Sequence, residues 1–157
     1  MSAALITASV LSLAGLLASF ALGYAAASPE AVLRHATLGI FVTLMTLLAH
    51  SMTMFYLIGK GRAIRDAVTE GGLATDAAAR VSALRGPVFK LAMLAMASTM
   101  LTAILGGGVD TGVLPAGVHS LLAMLAIAAG AVALRAIVHA LNESSRIVDE
   151  VNRDLGA

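Results

Sequence analysis

Ala36 to Gly59 reads ATLGIFVTLMTLLAHSMTMFYLIG. No side chain in it carries a fixed charge, and only His50 and Tyr56 ionise at all. A helix needs about 20 predominantly apolar residues to cross ~30 Å of hydrocarbon. This stretch meets that length, and its Ala, Leu and Met content shows none of the strict alternation of a half-buried strand. Three further runs match it: Ala3 to Ala27 without any charge, Leu91 to Val109, and Val113 to Leu134 interrupted only by His119. The ending Tyr24-Ala25-Ala26-Ala27-Ser28 is compatible with a signal-peptidase site. The first run nevertheless lacks a basic n-region and exceeds a typical signal core, so it reads as a retained helix.

Composition agrees with four crossings. The chain has 157 residues, 59% of them hydrophobic and only 12% charged, where a soluble domain carries roughly 25% charge. The expected fold is therefore all-α: an integral membrane four-helix bundle in a single domain over 1–157. Its helices are expected at about 3–27, 33–59, 88–106 and 114–141, with cytoplasmic helical extensions. A net charge of +1 and the absence of Trp leave no basic, aromatic-studded surface for nucleic acid. The absence of Cys removes thiolate metal sites, iron–sulfur clusters and covalent c-type heme.

Orientation follows from Lys and Arg, which favour the cytoplasmic side. Lys60, Arg62, Arg65, Arg80, Arg85 and Lys90 join the second and third runs, and Arg135, Arg146 and Arg153 follow the fourth. Arg34 alone lies in the other two connections. Both termini are thus expected in the cytoplasm, and the protein in the cell's inner (cytoplasmic) membrane. Gly59 to Glu70 continues the second helix beyond the bilayer until Gly71-Gly72, and Thr75 or Asp76 is placed to cap the next helix. Gly86-Pro87 marks a kink or restart. Over 142–157, Ile147, Val148, Val151 and Leu155 recur at helical spacing among polar residues. They form an amphipathic tail that packs on the other extension, meets partner subunits, or rests on headgroups. No internal repeat is evident.

Three faces carry chemistry. Ala8, Ser12, Gly15, Ser19 and Gly23 form a small-residue packing face on the first helix. On the second, His35, Gly39, Thr43, Thr46, His50 and Thr53 share one polar stripe. A stripe that deep faces protein or water rather than lipid. It serves either as helix–helix glue or as a ligand site or proton path. The fourth offers His119, Ala123, Ala126, Gly130 and Ala133. His35 and His119 lie at similar depth near the outer ends of helices running in the same direction, so facing imidazoles could ligate one metal or heme iron. His50 lies about 22 Å deeper than His35. Its obvious partner, His139, is turned about 200° from His119 and lies deeper still. Met96 and Met100, in a stripe with Met93, reach His50's depth, and thioethers suit Cu(I) or heme iron. They also serve as ordinary core filler.

The stretch His50-Ser51-Met52-Thr53-Met54-Phe55-Tyr56-Leu57-Ile58-Gly59-Lys60-Gly61, with Gly106-Gly107-Gly108 and His119, resembles a group of small uncharacterised bacterial four-helix membrane proteins. More loosely, paired histidines on two membrane helices resemble b-type cytochromes of the cytochrome b561 kind. That resemblance implies heme b held by bis-histidine ligation, with His35 and His119 as one pair and His50 and His139 as the other. It also implies electron transfer with a quinone or redox protein. The direction and depth of His139 depart from the pattern. A copper site on His50, Met54, Met96 and Met100, or an accessory role among partner subunits of a larger membrane complex, are the other expectations. Acidic residues are confined to loops and tail, and no phosphate-binding loop is present, so a hydrolase is not expected.

Overall fold

The computed structural model describes residues 1–156. It consists of four helices: α1 (Ser2–Tyr24), α2 (Pro29–Glu70), α3 (Ala77–Asp110) and α4 (Ala116–Asp154). No strand occurs among the described residues. All four helices are long and apolar enough to cross a membrane.

The connections are short and locally determined. Ser28 caps α2 by accepting a hydrogen bond from the Ala31 N–H at 3.3 Å, and Pro29 opens the helix where no backbone donor is needed. Gly72 and Gly112 take positive φ after α2 and α3, a conformation that costs glycine little. The Gly108 carbonyl then accepts from both Val113 and Leu114 at 2.9 Å.

α3 does not restart at Gly86-Pro87. It runs unbroken from Ala77 to Asp110 with Pro87 inside. Pro87 cannot donate to Ala83, but both residues lie on the exposed face, where solvent or headgroups can satisfy the freed carbonyl. Val88, on the opposite face, is buried. Tertiary packing carries the helix through a residue that would end an isolated one. α4 likewise absorbs the tail as one helix to Asp154.

α1 packs against α2 and α4, and α3 packs against the same two from the other side. The α1 interface depends on small residues. Ser9, Ser12 and Ser19 are buried, and a Cβ on Gly15 would meet Val42 Cγ2 at 2.6 Å. Close approach of this kind drives helix association where apolar burial cannot. α1 ends early: its Ser2 hydroxyl lies 3.2 Å from the Tyr56 hydroxyl. Beyond that level α2, α3 and α4 continue alone.

The surface divides at the same level. Apart from Leu155, every large exposed apolar side chain lies within residues 1–58 or 93–132. The core divides too. Leu5, Leu57, Val88, Ile137, Ala140 and Leu141 close the middle of the bundle. Ile64, Ala77, Val81, Ile147 and Val151 form a separate cluster among the extensions. The tail's apolar face therefore packs on the other extensions. Arg80 stitches that end together, donating to Glu150 at 2.7 and 3.4 Å, with Glu143 at 3.5 Å and Asp76 at 3.8 Å.

Candidate functional site: a histidine pair at one end of the bundle

At the end opposite the extensions, the bundle encloses a cavity of about 570 Å³. Its wall includes His35, Gly39 and Thr43 of α2, Ser19 and Gly23 of α1, Thr99, Thr102 and Gly106 of α3, and His119 and Ala126 of α4. Among the described residues, Asp110 is the one of fixed charge lining it. The two imidazoles face each other across this space, their ring centres 6.0 Å apart and their planes at 85°.

Each ring is held from the neighbouring helix in a matching way. His35 lies over Gly23: a Cβ there would come within 3.1 Å of Cε1. Its Nδ1 is 2.9 Å from the Ser19 carbonyl. Donation to that carbonyl fixes the tautomer and leaves Nε2 as the free lone pair. His119 lies over Gly106 at the same 3.1 Å. The Thr102 backbone lies beside it in the position equivalent to Ser19, and Nδ1 is enclosed without a hydrogen-bond partner. The pattern is Ser19…Leu22-Gly23…His35 in one hairpin and Thr102…Leu105-Gly106…His119 in the other. The loops differ by one residue, which hides this correspondence from a fixed-period search of the sequence. Gly23, Gly106 and Ser19 of the cradle were thus missed as site residues, although the two Leu-Gly pairs were available as a signal.

The remaining expected site residues separate. His50 is buried, whereas His139 is exposed on α4, so the structure does not bring the second histidine pair together. Met100 and Met93 are exposed, and Met96 is buried with its sulfur 3.7 Å from the Ser51 hydroxyl. The methionine stripe therefore does not gather around His50. Among the described residues no three His, Cys, Asp or Glu side chains cluster as a metal site. The polar stripe of α2 does face inward: Thr43, Thr46, His50 and Thr53 are all buried. The three threonine hydroxyls donate to carbonyls one turn back, at 2.7–2.8 Å. His50 alone in that stripe is unsatisfied at both ring nitrogens.

Comparison with protein-family models, with curated proteins and with solved structures finds no match.

Proposed function

We propose that this chain is a b-type cytochrome of the inner (cytoplasmic) membrane that binds one heme b between His35 and His119 and transfers electrons. The facing histidine pair inside the cavity carries this reading. Two imidazoles sharing one iron stand with ring centres about 6 Å apart, given metal–nitrogen bonds of about 2.0 Å, and the observed separation is 6.0 Å. The cavity walls are largely apolar, and the glycines beneath both rings leave them room.

Heme b, when bound, supplies one-electron chemistry. The chain's part is to offer one nitrogen from each of two helices, to fix the His35 tautomer through Ser19, and to exclude water with the surrounding helices. His35 and His119 would hold the group from two sides, which leaves no side chain of the pair free to act on a substrate. That favours electron transfer, with a quinone or a small redox protein as partner at the cavity mouth. The band of exposed apolar residues supports insertion in a lipid bilayer. The Lys and Arg on and beside the extensions support a cytoplasmic position for that end and both termini.

A copper site has less to rest on, since Met100 faces outward and Met96 is engaged by Ser51.

The deciding experiment is an absorption spectrum of protein purified after heme supplementation. Oxidised and reduced wild type is expected to show Soret and alpha bands, and His35→Ala and His119→Ala are each expected to lose them. A colourless wild type would refute the cytochrome reading.

A further inference from the structure

His50 is the buried ionisable group that the proposed centre leaves unused. It is 3% exposed, and neither ring nitrogen has a hydrogen-bond partner. The Thr46 backbone is the polar group beside the ring. Thr99, 1% exposed, has an orphaned hydroxyl as well, and it lines the cavity that holds His35 and His119. The Ser51–Met96 contact sets the register of α2 against α3, and this places Thr99 about 3 Å, roughly half a turn, nearer the cavity than His50. Two unsatisfied polar side chains thus occur on adjacent levels, the upper of them opening into the cavity. His50 and Thr99 together leave three polar atoms unsatisfied, and an ordered water needs two to four polar partners.

Access is one-sided. On the far side of His50, Leu5 of α1, Leu57 of α2, Val88 of α3, and Ile137 and Leu141 of α4 meet in an apolar layer to which every helix contributes. At the level of His50, α1 presents Ser9 and Ser12, whose hydroxyls bond their own helix. α3 presents Met96 and Thr99, and α4 presents Gly130 and Ala133. None of these titrates or carries charge. Arg135 of α4 is exposed on the outside, and Tyr56, further along α2, lies on the Ser2 hydroxyl.

We propose that His50, with Thr99, is the proton-accepting site coupled to the centre between His35 and His119, holding water and drawing protons through the cavity from its mouth alone. This inference rests on the cytochrome reading. One proton from water at the mouth would bind a ring nitrogen of His50 and offset the charge of one electron that a quinol or a reduced redox protein would supply to a group held by His35 and His119, so the net buried charge would be unchanged. His50 is about 22 Å along α2 from His35. At an effective dielectric of ~20, one unit of charge at that distance alters proton affinity roughly threefold, and a drier interior alters it more.

The test is the midpoint potential of the heme-loaded protein between about pH 5 and 8, the range in which imidazole titrates. Wild type is expected to show a potential that falls as pH rises, and His50→Asn a flatter profile, with reduction tightening proton binding at least threefold only when His50 is present. His50→Gln is the second variant if His50→Asn loses its heme bands. Identical profiles in wild type and variant would overturn the inference while leaving the cytochrome reading intact. Loss of heme in both variants would also overturn it, because His50 would then belong to the heme site itself. Absence of heme bands in wild type would remove both.

Discussion

Gly23 and Gly106 hold the position of the two imidazoles more directly than any polar side chain does. A methyl group on either would press the ring above it at 3.1 Å, while one on Gly107 would meet nothing within 4 Å. Loss of the groups that orient a metal ligand typically costs 10- to 100-fold in affinity. Gly23→Ala and Gly106→Ala are therefore expected to weaken heme binding by on the order of tenfold, with Gly107→Ala unchanged; heme titration followed at the Soret band measures all three. Equal affinities in the three variants would mean that the rings move freely and that the glycines serve helix packing alone. The sequence made the histidines legible because a titratable residue in an apolar run stands out by its chemistry. It did not make the glycines legible as site residues. A glycine's role lies in what would collide with it, and that depends on the angle between two helices. Thr99 was hidden for a similar reason: a threonine on a membrane helix usually bonds its own backbone, and only the fold shows that this one does not.

At the scale of elements, the apolar runs located all four helices, because hydrocarbon thickness sets a minimum length that few other constraints imitate. Local signals set one stop: α2 has 42 residues, about 63 Å, roughly twice the bilayer core, and ends after Glu70 where Gly71-Gly72 breaks it. They did not set the course of α3, which runs through Pro87 with Val81 and Val88 buried against other helices, a support that a single run does not record. The α1–α2 seam offers a direct check. With Val42 Cγ2 only 2.6 Å from the place of a Gly15 Cβ, Gly15→Ala overpacks the interface and is expected to cost about 1–3 kcal/mol. Val42→Ala in the same chain removes the colliding atoms and is expected to restore most of that loss. Unfolding midpoints of the two single variants and the double variant form the cycle. Additive losses would indicate that α1 shifts bodily instead of meeting Val42. In the extension, Ile147 is fully buried, so Ile147→Ala is expected to cost about 2–5 kcal/mol there, read as earlier proteolysis of the α4 end.

The whole molecule joins two parts with different chemistry: an apolar four-helix part held by small residues, and a three-helix end held by an apolar cluster and ion pairs. The second part is expected to respond to acid through its ion pairs. The Arg80 guanidinium, donating to both Glu150 oxygens, holds that carboxyl below the usual carboxylate range. A carboxylate whose pKa is lowered by folding stabilises the folded state above its unfolded value of about 4.3, and loses that contribution as pH falls through the lowered value. Glu150→Gln abolishes the charge at every pH. At neutral pH, wild type is therefore expected to protect the amides of α4 over 143–154 from hydrogen exchange better than the variant does. The two should converge as the pH is taken well below 4, with protection of the helices around His35 and His119 alike in both throughout. The alternative is that Glu150 matters only through packing of its methylenes on α3. In that case the difference between the two proteins stays constant with pH, because glutamine and glutamate have nearly the same shape, and the clamp would have to be assigned to the apolar cluster instead. Raised salt separates the cases further, since it screens an exposed pair but leaves Ile147 and Val151 against Ile64 and Val81 in place.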